Sequence, residues 1–68
     1  MVRKVDGWFV YEVGDVVQSL NTSQKGIVVE QGSLDMQKRE QIIYVQFKED
    51  EVKRVSSDEI DLVKRTAI

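Results

Sequence analysis

No cysteine and no histidine occur among the 68 residues of this chain. Disulfides are therefore excluded and the usual zinc ligands are missing, so neither staple on which very small domains often rely is available. A nucleophile could be activated only by a lysine, and Ser56 and Ser57 sit before acidic residues as helix caps do. Glycine is scarce as well. Gly26 and Gly32 stand alone and neither opens a helix, which leaves no phosphate-cradling loop. Two acidic trios, Glu49-Asp50-Glu51 and Asp58-Glu59 with Asp61, lack the spacing and the glycine of a calcium loop. No catalytic group, metal or cofactor is expected, and the chain is read as a non-enzyme. An excess of one charge is also absent: 12 acidic residues against 10 basic ones give a net charge of −2, which provides no overall field for a polyanion. No apolar run approaches the roughly 18 residues of a membrane span, and the opening residues Met1 to Gly7 carry no signal-like apolar segment. A cytosolic (cytoplasmic) location without membrane attachment is expected.

What is present is a pattern of short strands. Residues 41–55 read as a hairpin: Ile43, Val45 and Phe47 alternate with Ile42, Tyr44 and Gln46, and a charged turn, residues 48–51, precedes a second strand. The second strand is expected to place Val52, and with it Val55, inward and to leave Lys53 and Arg54 to solvent. Upstream, Asp6-Gly7 between β-prone residues signals a tight turn, hence an N-terminal hairpin or arm over residues 1–12. Its rings, Trp8, Phe9 and Tyr11, either close one end of the core or leave Trp8 and Tyr11 exposed as partner anchors. Gly14-Asp15 punctuates, and residues 16–20 and 25–30 pair as a second hairpin around a polar loop. Gly26 at a strand start marks a bulge or a close backbone approach. Gln31-Gly32-Ser33 ends that strand, and residues 32–40 read as a mobile loop with at most one helical turn. Residues 56–59 fit a 3₁₀ turn, Ile60 plugs the core, Leu62-Val63 forms a last strand, and residues 64–68 fray. One domain spans residues 1–68 around Ile27, Val29, Ile43, Val45, Phe47 and Ile60. At this length the core is modest and the stability small.

This order of elements resembles an SH3-like barrel: all-β, five short strands, a 3₁₀ turn before the last. The resemblance rests on Gly14-Asp15-Val16-Val17, on Lys25-Gly26-Ile27-Val28-Val29, and on Val45-Gln46-Phe47 through Val63. It covers residues 13–63 and is similar to small bacterial Tudor-like and KOW-like domains, including one at the C-terminus of some repair helicases. Members of that group are mostly binding modules, so the resemblance implies docking on a larger protein of the transcription, replication or repair machinery. The aromatic cage of the methyl-lysine readers has no counterpart here. Neither the loop over residues 20–25 nor the turn after Phe47 contains an aromatic residue. A fainter likeness, to plasmid-type dihydrofolate reductases, stops at the fold, because Val45-Gln46-Phe47-Lys48 is not their Val-Gln-Ile-Tyr stretch.

Two functions follow from the residues. The first is a protein-interaction module whose face combines Tyr44, Lys53 and Arg54 with Trp8 and Tyr11, residue types that dominate interface energetics. The alternative is a binder of single-stranded DNA or RNA that sets Arg3, Lys4, Lys48, Lys53, Arg54, Lys64 and Arg65 on phosphates and stacks Tyr44 on a base. An open barrel edge would also permit weak homo-oligomers.

Overall fold

The hairpin forms where its alternation places it. In a computed structural model, which describes residues 4, 5 and 8–65, β5 (Glu40–Lys48) pairs antiparallel with β6 (Glu51–Ser56). Residues 41, 43 and 45 are buried and residues 42, 44 and 46 half-buried, the period of two that a strand imposes. On the other side of β5 lies β4 (Lys25–Asp35), followed by β3 (Val16–Ser19) and β7 (Ile60–Lys64), all antiparallel. The order β6-β5-β4-β3-β7 makes one open five-stranded sheet with β6 and β7 as its edges. The expected closure into a barrel is not seen. A separate two-residue ladder, β1 (Lys4–Val5) with β2 (Trp8–Phe9), forms the N-terminal hairpin. Its turn at Asp6-Gly7 lies outside the described residues.

The core joins Tyr11, Val17, Val28, Ile43, Val45 and Ile60, with Phe47, Val55 and Leu62 packed against it. Two of the expected core residues are thereby corrected. Ile27 is 49% exposed and Val29 38%, whereas Val28 between them is fully buried. Three consecutive aliphatic residues carry no alternation of their own, so the choice falls to Gly26. That glycine is buried opposite Val17, and a Cβ there would lie 2.6 Å from Val45 Cγ1 and 2.8 Å from the Gln46 carbonyl. Because residues two apart share a face, Gly26 inward places Val28 inward. Val52 is corrected too. The β5–β6 ladder slips between Gln46 and Lys48, and Val52 stands 53% exposed beside Gln46 while Val55 reaches the core.

The expected mobile loop over residues 32–40 is mostly strand. β4 runs on to Asp35, and only residues 36–39 turn. Asp35 Oδ1 accepts from the Gln37 and Lys38 amides at 3.1 Å each, and Arg39 closes the turn at φ 53°. Gly32 marks a ladder irregularity rather than a strand end. Its missing side chain lets the Ile42 carbonyl come within 2.7 Å of where a Cβ would sit. The 3₁₀ turn spans Ser57–Glu59 and leads into β7 as expected, yet Ser56 makes no side-chain cap. Its Oγ contacts Glu40 Oε2 (2.7 Å) and Asp58 Oδ1, and Ser57 Oγ accepts from the Gln41 amide, so both hydroxyls tie the turn to β5. The tail does not fray at its start: Lys64 ends β7, and the Arg65 side chain is only 11% exposed.

Candidate functional site

Residues opposite one another in an antiparallel ladder project to the same face, so the register maps the surface of the sheet. Val45 and Val28 pair inward, as do Val17 and Gly26. The next positions therefore project outward in one row, Val52, Gln46, Ile27 and Val16, to which a bulge in the β3–β7 ladder adds Lys64 as the partner of Val16. Three of the five are aliphatic, and Val52 and Ile27 are about half exposed. A second row, Arg54, Tyr44 and Glu30, lies beside it on β6, β5 and β4. A third, Lys25, Gln18 and Asp61, lies on the other side. The outer face is thus an aliphatic strip with an Arg–Tyr cross-strand pair on one flank. Aliphatic centres with Arg and Tyr alongside are the composition of protein-binding patches.

The structure divides the face expected from the sequence. Tyr44 and Arg54 are brought together. Lys53 is opposite Val45 and belongs to the other side of β6, where its Nζ lies 4.0 Å from Glu51 Oε1. Of Trp8 the described structure gives only the backbone, in β2. Tyr11 is corrected: it is 5% exposed, a core residue and no surface anchor. Of the cations expected on phosphates, Lys48, Arg54 and Lys64 are exposed, and Lys4 is placed by its backbone in β1. Arg3 lies outside the described residues. Arg65 is engaged: its Nη1 donates to Glu12 Oε2 (3.2 Å), and its Nη2 donates to the Val10 carbonyl (3.2 Å) and lies 3.5 Å from Asp15 Oδ2.

Behind the sheet, residues 10–12 cross the inner face as a strap. Gln41, 2% exposed, holds both polar groups of the Tyr11 backbone: Oε1 accepts from its N–H at 2.8 Å, and Nε2 donates to its carbonyl at 2.9 Å. Gln31 Nε2 donates to the same carbonyl at 2.7 Å. Asp15, fully buried, accepts the Glu12 amide at 2.9 Å and faces Arg65. Burial raises the pKa of the Tyr11 phenol above its ordinary value, and the nearby carboxylates of Asp61 and Asp15 add to the rise while Arg65 opposes it. Sequence reasoning missed Gln41 and Asp15. The signal for Gln41 was its place two before Ile43 and four before Val45, a polar residue on the apolar face. Asp15 left no such mark, since an acid after glycine also suits an exposed turn.

These features define a small antiparallel all-β protein with a partly aliphatic outer face and, among the described residues, no group of three or more acidic side chains placed to hold a metal ion. No family model, no curated protein and no solved structure matches the chain.

Proposed function

We propose that this protein is a non-catalytic docking module that binds a larger protein through the outer face of its sheet. One observation carries this: Val52, Gln46, Ile27 and Val16 align in one outward row, joined at the bulge by Lys64, with Tyr44 opposite Arg54 alongside. Ile27 and Val52 are about half exposed, so covering either one contributes about 1 kcal/mol. The SH3-like resemblance of residues 13–63 supports the same function and extends it to a cytosolic partner in transcription, replication or repair. Under this proposal the open sheet is an SH3-like arrangement that stops short of closure. The engagement of Arg65 with Glu12, Val10 and Asp15 removes one cation from the nucleic-acid alternative, which the net charge already disfavours.

The test is comparative capture with full-length variants. Ile27→Asp and Arg54→Ala each lose the parent's protein partner, at about tenfold or more in affinity, whereas Lys38→Ala at the hairpin tip keeps it. Retention by both face variants overturns the proposal. Capture of nucleic acid whose affinity falls steeply with salt would instead favour the alternative.

A further inference from the structure

The strap over residues 10–12 is held by side chains and not by a ladder. Residues 10–12 are not a strand of the five-stranded sheet, and side chains on four other segments grip them: Gln41 on β5, Gln31 on β4, Asp15 before β3, and Arg65 after β7. Gln41 receives one peptide unit as a neighbouring strand would, with an acceptor for its N–H and a donor for its carbonyl. The Tyr11 ring fills the core above it. This seat recognises an extended segment that carries an aromatic side chain, and nothing in it requires the segment to come from the same chain. The strap joins β3 through Val13 and Gly14 alone. Val13 is 56% exposed, and Gly14 turns the chain with φ 98°, a conformation that L-residues rarely adopt.

We propose that the occupant of this seat can be residues 10–12 of a second copy, giving an arm-exchanged dimer in which each Tyr11 lies on its partner's Gln41. The side-chain contacts of the seat are then made again in trans, and the two-residue hinge changes, giving up the bond from the Gly14 N–H to the Val28 carbonyl (2.8 Å). The hinge is where monomer and dimer differ, so it is where the balance is set. A short hinge held in a conformation reserved for glycine favours exchange once that glycine is replaced. The proposal is independent of the outer face, which remains exposed in either form.

The experiment uses the full chain at millimolar concentration, after dilution from denaturant, with mass measured by light scattering on a sizing column. The parent gives a minor dimer, and Gly14→Ala raises the dimer-to-monomer ratio by about fivefold, because the strain of positive φ is relieved when the hinge extends. Complementation then identifies the route. Tyr11→Ala has a defective arm and Gln41→Ala a defective seat, and because each defect is carried equally by monomer and dimer, the dimer fraction of each alone stays near the parent's. Refolded together, they give a heterodimer in which one intact arm meets one intact seat. Absence of dimer in both the parent and Gly14→Ala overturns the proposal. So does a dimer that ignores Gly14→Ala and shows no complementation, since that dimer would be held by another surface. If Tyr11→Ala or Gln41→Ala fails to fold, the Gly14→Ala ratio still decides.

Discussion

At the scale of single residues, one glycine decides which aliphatic side chains are inside. Gly26 lies against Val45, Gln46 and Phe47 at distances that leave no room for a methyl group. Gly26→Ala should therefore cost about 1–3 kcal/mol through overpacking, read as a lower urea midpoint with unchanged slope. Its consequence two residues on is equally testable. Val28→Ala opens a cavity at a fully buried site and should cost more than 1 kcal/mol, whereas Ile27→Ala, on the outer face, should stay within about 0.5 kcal/mol. A larger cost at Ile27 than at Val28 would mean that the strand has the opposite facing. Gln41 makes the same point in polar terms. Gln41→Leu takes the Gln41 acceptor from the buried N–H of Tyr11 while the carbonyl keeps Gln31 Nε2, a loss of about 1–3 kcal/mol. The sequence announced Gly26 as a site of close approach, but not what followed from it. Three aliphatic residues in a row satisfy both facings equally, and only the neighbour across the ladder breaks the tie.

At the scale of elements, legibility follows how local the deciding interactions are. The hairpins of β3 with β4 and of β5 with β6, the 3₁₀ turn and β7 were all readable, because alternation and turn chemistry are written within each segment. The length of β4 was not. Residues 31–35 carry Gly, Ser and polar side chains that in isolation end a strand, yet they pair with residues 40–43 across an irregular ladder. Pairing is a property of two segments, and it overrode the weaker local preference. The openness of the sheet and the division of the expected face were illegible for the same reason, since both depend on which strands become neighbours. An element-scale difference in stability follows. Beyond β3, β4 has only β5 as a neighbour in the sheet, and residues 29–35 are all exposed. Amide exchange should be faster by at least tenfold at Leu34 and Asp35 than at Val28 and Val45, measured by native-state hydrogen exchange. Uniform protection along β4 would show that residues 29–35 and the rest of the sheet open as one unit.

At the scale of the whole molecule, a 68-residue chain without disulfides holds a single small core, and one phenol sits within it. Tyr11 belongs to the strap, but its ring packs with residues of β3, β4, β5 and β7, so its ionisation reports on the entire fold. Burial raises its pKa above 10.0, the carboxylates of Asp61 and Asp15 raise it further, and Arg65 partly offsets them. Linkage fixes the sign. Between the unfolded value near 10 and the higher folded value, the folded state holds the proton that the unfolded state has lost. Stability is therefore fully present below about pH 10 and declines as pH rises through that window. Lysines titrate in the same range, so the contribution of Tyr11 must be isolated by difference. Urea midpoints for the parent and for Tyr11→Phe, followed from pH 8 to about pH 11, should run parallel up to the onset of phenol ionisation and then diverge, the parent falling faster. Parallel curves throughout would mean that the ring ionises as freely in the folded protein as in the unfolded chain, and the strap would then have to lie open to solvent instead of closing the core.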